Sequence, residues 1–427
     1  MADNLEPRAS ALVSRLLDYA AYDTQSSESS AALPSTPGQL RLARHLADEL
    51  RAMGASDVHV SEGGYVYARV PASEGRGGVQ PLGFLAHVDT SPDAPGANVK
   101  PSVIRYNGGV VELGESGKRL DPAVFPELSR HEGRHLVVTD GTTLLGADDK
   151  AGVAIVMEAA SALLAPSAPP HGEIRIAFTP DEEIGQGTRG FEPERFGARI
   201  AFTVDGDNPA MLETENFNAA SAKFAVRGVS VHPGSAKGVM VNAARIAAEI
   251  IDSLPENECP EQTEGREGFY HPTAISGGVS EAAVEFIVRD HDKARFEARK
   301  ETLAKIAAGI NARFGEGTVT LTIADQYRNM AETIEKTPFL VEEALAAVRS
   351  VGLAPEIVAI RGGTDGAKLA EMGIPCPNLG TGGRNFHGEL EYAVVEEMEK
   401  ALGIVLALAR MRHVEAIRES GSSRHGR

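Results

Sequence analysis

Apolar, strand-like runs alternate with helical segments along much of this chain, and that alternation constrains its fold more than any other feature. The runs 82–88 (LGFLAHV), 173–179 (EIRIAFT) and 199–204 (RIAFTV) are short and rich in branched and aromatic residues. Helical patterns cover 37–53 and 151–165. Strands that alternate with helices form a mostly parallel sheet flanked by helices, so the sequence predicts an α/β fold.

The pattern changes half-way along the chain. The runs 221–227 (SAKFAVR) and 282–289 (AAVEFIVR) alternate between apolar and polar residues, as in an antiparallel sheet with one face in water. The α/β alternation then returns and ends in a helical pattern. The simplest organisation is a discontinuous main domain, 1–216 and 331–427, with an inserted α+β domain at 217–330.

The chain is strongly acidic: 427 residues include 42 Lys and Arg against 60 Asp and Glu, a formal net charge of −18. Because such a protein repels phosphate backbones, we expect no nucleic-acid partner. The N-terminus lacks signal-peptide features, and the apolar stretches fall well short of the roughly 20 residues of a membrane span. Cys259 and Cys376 cannot build a disulfide framework. We therefore predict a cytoplasmic protein that has no membrane partner.

Acidic residues and histidines stand where the strand-like runs end, at the start of a helical segment, and in a glycine-rich loop. In chain order they are His87, Asp89, Asp148, Glu182, Glu183, Asp205 and His387. Functional sites in open α/β sheets form at the carboxyl ends of the strands. We therefore expect these side chains to converge.

Such a set of carboxylates and imidazoles favours a pair of divalent cations. Both groups are ordinary zinc ligands, and two neighbouring metals are bridged by a carboxylate. The five acids carry five negative charges, which two Zn²⁺ ions would nearly balance. Taken singly, each acidic pair is equally well explained as the first turn of a helix, where negative charge is favourable. The joint pattern is what indicates a metal centre.

Several motifs surround these residues: HVDTSPD at 87–93, LGADDKAG at 145–152, TPDEEIG at 179–185, TVDG at 203–206, ENFNAAS at 215–221, GVSVHPGS at 228–235, RGGTDG at 361–366 and CPNL at 376–379. On these motifs the chain resembles the peptidase T family, within the superfamily of zinc aminopeptidases, aminoacylases and carboxypeptidases. The HVD, ADDK and DEE pieces are shared across the superfamily. The ENFNAAS, VSVHPGS and RGGTDG pieces are specific to peptidase T and its close relatives.

The resemblance implies five metal ligands. His87 and Asp205 match the terminal ligands of one metal, and Glu183 and His387 match the ligands of the other. Asp148, the first of two adjacent aspartates, matches the ligand that bridges them. The resemblance therefore implies two divalent metal ions per chain, with zinc expected, although the same ligand types also admit Co²⁺ or Mn²⁺.

The resemblance also implies four residues that act around the metals. Glu182 matches the general base, and Asp89 matches the acid that orients the imidazole of His87. In the inserted domain, His232 resembles the histidine that stabilises the oxyanion, and Arg289 resembles the arginine that binds the substrate carboxylate. That domain resembles a lid or dimerisation domain, so a homodimer through it is expected.

The activity implied is that of a tripeptide aminopeptidase, in which a hydroxide that bridges two zinc ions attacks the N-terminal peptide bond. A fixed distance between the metals and Arg289 would then measure peptide length. Three alternatives stay open. They are a sister hydrolase (dipeptidase, carboxypeptidase or N-acyl amino acid hydrolase), a non-catalytic peptide-binding relative, and a nucleotide-using α/β enzyme. The glycine-rich segments of the chain lack GxGxxG or Walker spacing after a strand, which counts against the last alternative.

Overall fold

A computed structural model describes residues 5–411, which divide into two units. The first unit contains the described parts of Met1–Thr214, Glu332–Val358 and Thr364–Arg427, and the second contains Glu215–Ala331 with Ala359–Gly363. The domain boundaries drawn from the sequence stay a prediction. The short segment Ala359–Gly363 gave no signal in the sequence that it would join the second unit.

The helices before residue 215 are α1 (Pro7–Ala20), α2 (Pro37–Met53), α3 (Ala147–Leu164) and α4 (Pro193–Phe196). The strands there are β1 (Ser56–Val60), β2 (Val66–Val70), β3 (Leu82–His87), β4 (Ser102–Arg105), β5 (Val111–Leu113), β6 (Lys118–Leu120), β7 (His135–Val138), β8 (Ile174–Thr179), β9 (Ile200–Val204) and β10 (Met211–Glu215).

The later elements complete both units. The helices are α5 (Ala243–Asp252), α6 (Lys293–Phe314), α7 (Ala331–Ile334), α8 (Pro338–Ser350), α9 (Asp365–Glu371) and α10 (Val395–Ala409). The strands are β11 (Asn218–Arg227), β12 (Phe269–Gly277), β13 (Glu281–Asp290), β14 (Val319–Tyr327), β15 (Glu356–Ala359), β16 (Asn378–Leu379), β17 (Gly383–Arg384) and β18 (Tyr392–Val394).

An eight-stranded sheet in the order β1-β2-β8-β3-β9-β16-β10-β15 forms the centre of the first unit. Its middle strands β8, β3, β9 and β16 run parallel, whereas β1, β2 and β10 pair antiparallel. The predicted α/β fold with parallel central strands is confirmed, and the antiparallel pairs make the sheet mixed. A smaller sheet, β17-β18-β7-β4, and the β5-β6 pair extend this unit.

Two helices show how the sequence sets the packing of the first unit. The helix α2 begins at Pro37 and ends before Gly54, which adopts the left-handed conformation with φ 92°. Its residues Leu42, Leu46 and Leu50 are fully buried. By contrast, α3 is buried on most sides, because it packs on β3, α1 and α10. That burial explains why α3 has little amphipathic pattern.

The second unit contains a four-stranded antiparallel sheet in the order β12-β13-β11-β14. The alternating residues Val284, Phe286 and Val288 of β13 are buried, as predicted, and pack with residues of α5 and α6. The predicted antiparallel sheet of the α+β domain is confirmed. No helix among residues 5–411 is long and apolar enough to cross a membrane. The cytoplasmic location stays a prediction.

Gly83 in the middle of β3 allows α4 to pack closely on the sheet. A Cβ atom at this position would lie 2.2 Å from Cζ of Phe196 and 2.9 Å from Cβ of Ala201. We expect Gly83→Ala to lower the free energy of unfolding by about 1–3 kcal/mol through overpacking. Combining it with Phe196→Leu should recover part of that loss, because the two residues are in contact.

Denaturant unfolding of the single and double variants tests this expectation. Gly78→Ala is the matched control, because no atom of the described chain lies within 4 Å of a Cβ at Gly78. Equal stabilities for Gly83→Ala and Gly78→Ala would contradict the packing argument.

Candidate metal centre

Three neighbouring parallel strands bring acidic and histidine side chains to one edge of the sheet. His87 ends β3 and pairs with Thr179, the last residue of β8. The turn after β8 carries Glu182 and Glu183, and Asp205 directly follows β9. Because the three strands are parallel neighbours, their carboxyl ends lie side by side and the predicted convergence follows from the topology.

Asp148 lies between the two predicted histidines. Its Oδ1 is 2.9 Å from Nε2 of His87, and its Oδ2 is 3.3 Å from Nε2 of His387. The residue sits in the first turn of α3, where its backbone is not helical (φ −84°, ψ 102°). Each oxygen of one carboxylate therefore faces a different imidazole, which is the arrangement that a ligand shared by two cations requires.

The remaining predicted ligands lie around this carboxylate. Glu183 Oε2 is 2.9 Å from Nε2 of His387, and Asp205 Oδ1 is 3.8 Å from Nε2 of His87. Ligand atoms of His87, Asp148 and Glu183 all lie within 4.8 Å of one another. The structure thus brings all five predicted ligands into one cluster in the first unit.

The two imidazoles alone balance only part of the negative charge that the carboxylates of this cluster carry. Hydrogen bonds to Asp148 and Glu183 raise the pKa of His387 to about 11. Burial acts to lower the pKa of His87, but the neighbouring carboxylates, led by Asp205, raise it well above its usual range. Burial acts to raise the pKa of Asp148, but the two histidines hold it well below the usual range. The two imidazoles therefore favour their charged forms beside the Asp148 carboxylate.

The other acids of the cluster are hard to ionise for a common reason. Burial raises the pKa of Glu183 to about 7, and it raises the pKa values of Glu182 and Asp205 well above their usual range. In addition, no described residue donates a hydrogen bond to the buried Oε1 of Glu183. A buried, unpaired carboxylate oxygen beside imidazoles suits a divalent cation, so these residues fit a two-metal centre.

Asp89 is fully buried behind the cluster. Its Oδ1 lies 3.3 Å from Nδ1 of His87, and its main-chain oxygen lies 3.1 Å from the same nitrogen. Its two carboxylate oxygens also accept hydrogen bonds from the backbone N–H groups of Glu182 (3.0 Å) and Glu183 (3.1 Å). Asp89 therefore contacts both the imidazole that it was predicted to orient and the turn that carries the two glutamates.

Glu182 differs from its neighbour Glu183 in its surroundings. Neither of the ligand triads found in the described part of the chain includes Glu182. Its carboxylate nevertheless lies within electrostatic reach of His87 and Asp205. Glu182 is therefore an acidic group beside the cluster, and its carboxylate oxygens belong to neither ligand triad.

Asp149 is a residue whose role the sequence did not reveal. It is buried, its Oδ2 accepts a hydrogen bond from the backbone N–H of His87 (3.2 Å), and its Oδ1 accepts one from Gly152 (3.0 Å). A Cβ at Gly152 would lie 1.8 Å from the carbonyl oxygen of Val204. Glycine is therefore needed there for α3 to approach β9. Although Asp149 also lies near Asp205, its oxygens are already used by the backbone.

Glu391 is a second residue whose role the sequence did not reveal. Its buried carboxylate accepts hydrogen bonds from the backbone N–H groups of Leu145 (2.7 Å), Gly146 (2.7 Å) and Asp148 (2.9 Å). Burial raises its pKa to about 7. Because it follows His387 by four residues, Glu391 ties the loop of one histidine to the turn of the shared carboxylate. Only its closeness to His387 in the sequence hinted at this role.

His232 and Arg289 belong to the second unit. His232 precedes the short helical turn Pro233–Ser235, and its exposed ring accepts a hydrogen bond from the N–H of Gly234 (3.1 Å). Arg289 lies in β13, where its guanidinium donates to Oε1 of Gln326 (3.0 Å) and lies 5.2 Å from the ring centroid of Tyr327. Burial lowers its pKa. The roles predicted for these two residues stay predictions.

The sequence model of the peptidase dimerisation domain family matches residues 214–318. The chain is also 50% identical over 402 residues to peptidase T of Bacillus licheniformis, covering 94% of this chain and 98% of that protein.

Solved structures share the fold. A tripeptidase of Staphylococcus aureus superposes with a TM-score of 0.76 at 21% identity, covering 95% of this chain and 98% of the other. A dinuclear metal-binding peptidase of the M20 family from Bacillus subtilis superposes with a TM-score of 0.62 at 16% identity, covering 94% and 97%.

Cation binding should release protons. Because the pKa of His387 is raised to about 11 and that of His87 is raised well above its usual range, both rings hold a proton at pH 7.5 without metal. Both rings must lose it to bind a cation, and Asp205, whose pKa burial also raises well above its usual range, must be ionised as well, so we expect at least two protons to be released per chain at pH 7.5. Below pH 7 the release should rise, since Glu183 then also binds a proton. Zinc titration in weakly buffered indicator dye measures this, and binding without proton release would contradict the assignment.

Glu391→Gln should weaken metal binding without removing a ligand. The variant loses one of the two oxygens that accept the three N–H groups, so the turn of Asp148 is less well held. We expect zinc affinity to fall about 10–100-fold in a chelator competition assay. Glu396→Gln is the control, since Glu396 also accepts a backbone hydrogen bond, from His135 (3.0 Å). Equal affinities for the two variants would contradict this role.

Proposed function

The chain belongs to the peptidase T family and is a metal-dependent peptidase, and we propose that it releases the N-terminal residue of tripeptides with two zinc ions bound. The observation that carries the proposal is the placement of Asp148, whose two carboxylate oxygens face His87 and His387 separately. A carboxylate shared in this way is typical of two-metal hydrolytic sites.

In this proposal His87 and Asp205 would hold one cation, Glu183 and His387 would hold the other, and Asp148 would be a ligand to both. The bound metals would polarise the scissile carbonyl and lower the pKa of a water molecule from its value in bulk water to about 7. That shift corresponds to roughly 12 kcal/mol, which is far more than a single general base contributes.

Glu182 is proposed as the proton carrier. Burial raises its pKa, so its carboxylate can take a proton from the attacking water and return it to the leaving amine. Its backbone N–H is fixed by Asp89, which also contacts the His87 ring. Asp89 is therefore proposed to orient the imidazole and to hold the turn of the base in one geometry.

The tripeptide preference rests on the second unit. We propose that Arg289 binds the substrate's C-terminal carboxylate through its planar donor fork and that His232 donates to the developing oxyanion. The tripeptidase among the structural relatives supports this preference. The match to a peptidase dimerisation domain supports the predicted homodimer through this unit.

Replacing Glu182 should separate catalysis from metal binding. We expect Glu182→Ala to keep two metals per chain and to lose kcat by about 10²–10⁴-fold, since only the proton carrier is removed. Metal content by plasma mass spectrometry and initial rates with a tripeptide measure both. The exposed Glu194 offers the control Glu194→Ala, with unchanged rates expected. Full activity in Glu182→Ala would rule out this base.

A substrate panel should distinguish this function from that of a sister hydrolase. We expect alanine release from Ala-Ala-Ala, little from Ala-Ala or Ala-Ala-Ala-Ala, and none from N-acetyl-Ala-Ala-Ala or after chelation. Arg289→Lys should raise KM for the tripeptide, because it removes the planar donor fork. Hydrolysis of the acetylated peptide would instead assign an acylase, and a preference for the dipeptide would assign a dipeptidase.

A further inference from the structure

The turn that carries Glu182 and Glu183 depends on an unusual backbone conformation. Asp181 precedes the two glutamates with φ 56° and ψ 27°, in the left-handed region. This conformation costs most L-residues roughly 1–2 kcal/mol, and aspartate adopts it where its side chain is held by hydrogen bonds. The side chain is also almost fully buried, at 1% exposure. Other contacts must therefore hold Asp181 in place.

Two residues provide these contacts: Ser35, which lies just before α2, and Gln39, in the first turn of α2. Ser35 donates its backbone N–H to Oδ2 of Asp181 (2.7 Å) and its hydroxyl to Oδ1 (2.5 Å). Gln39 donates Nε2 to Oδ1 (2.7 Å) and accepts the backbone N–H of Asp181 at Oε1 (3.0 Å). Gln39 thus contacts both the side chain and the main chain of one residue.

Gln39 is a polar residue on the buried side of a helix. It is fully buried, close to the apolar residues Leu42 and Leu46 on the same helix. A buried amide in such a place is costly unless its hydrogen bonds are made. Its bonds go to Asp181, Ser35 and Thr36, so its position is explained by the turn rather than by packing.

The turn is held from the opposite side by Asp89, which accepts the N–H groups of Glu182 and Glu183. Three successive N–H groups, those of residues 181, 182 and 183, therefore all donate to side chains of other segments. The carbonyl oxygen of Asp181 accepts the N–H of Gln186 (2.9 Å), which closes the turn.

We propose that Ser35 and Gln39 are positioning residues, which act through Asp181 to aim the proton carrier Glu182 and the ligand Glu183. The catalytic part of this inference rests on the proposed function, whereas its effect on metal binding rests only on the cluster. The two residues touch no ligand atom, so their replacement should change metal affinity and kcat but leave substrate binding largely unchanged.

Exchanging the amide and the carboxylate between positions 39 and 181 tests the proposal. Gln39→Glu places a carboxylate against that of Asp181, and Asp181→Asn places amide donors against the donors of Gln39 and Ser35. The double variant restores a donor opposite an acceptor, because the amide at 181 then donates to the carboxylate at 39. Asparagine also tolerates the left-handed conformation.

The measurements are kcat and KM with Ala-Ala-Ala, and zinc affinity by chelator competition. We expect each single variant to lose about 10–100-fold in kcat and in zinc affinity, as is usual when a residue that supports a ligand is removed. KM should stay within about threefold, and the double variant should recover most of both losses. A merely structural role would lower the melting temperature without this pattern of rescue.

Asn311→Asp is the matched control in the second unit. Asn311 makes the same two-point contact with one backbone residue, donating to the carbonyl oxygen of Val319 (2.9 Å) and accepting its N–H (2.8 Å). It should lose stability but keep zinc affinity and kcat. Should a single variant fail to fold, Ser35→Ala is the milder change. It removes the hydroxyl, which donates to Asp181 and accepts from the backbone N–H of Ser27 (2.9 Å) and from Nε2 of Gln39 (3.2 Å), and it is expected to lower zinc affinity several-fold.

Folded variants at positions 39 and 181 that keep zinc affinity and kcat would overturn the inference, as would a double variant no better than the worse single one. An inactive wild-type protein would instead count against the proposed function. The zinc affinities would in that case still decide whether Ser35 and Gln39 position the ligand turn.

Discussion

The cost of burying several carboxylates at one edge of a sheet governs the rest of this structure. Asp148, Glu182, Glu183 and Asp205 are partly buried and lie close together, so ionising all of them at once requires compensating positive charge. Two imidazoles supply part of that compensation, and two divalent cations would supply the rest. These groups are held close together by the parallel strands, the start of α3 and the loop of His387.

A second set of acids holds the turns that carry the ligands. Asp89 accepts backbone N–H groups from the turn of the two glutamates, and Asp149 accepts that of His87. Glu391 does the same for the turn of Asp148. Each turn thus uses a buried carboxylate as an acceptor for its main chain, and Asp181 uses its own carboxylate to join its turn to α2. The carboxylates of this region therefore accept backbone hydrogen bonds in addition to providing candidate cation ligands.

Much of this organisation could be predicted from the sequence. Buried strands and periodic helices leave strong local patterns, so α2 and the strand β3 fall where expected. Acids that follow strands lie at a common edge once the sheet is parallel, which is why the convergence of the candidate ligands could be predicted. Gln39 and Glu391 were not found, because their roles depend on partners over 140 residues away, a separation that no local pattern records. The return of Ala359–Gly363 to the second unit went unnoticed for the same reason.

The order of the ligands along the chain has a consequence for biosynthesis. His87 lies near the beginning, whereas His387 and the supporting Glu391 lie close to the end. A ribosome must therefore release the chain past residue 391 before both proposed cation positions can exist. Translation products that end before His387 would carry the proposed ligands of one cation but lack a ligand of the other, so they would gain less stability from metal. Retention of both ions would thus distinguish chains that extend past residue 391 from shorter ones, which cellular proteases would remove more readily because they are less stable.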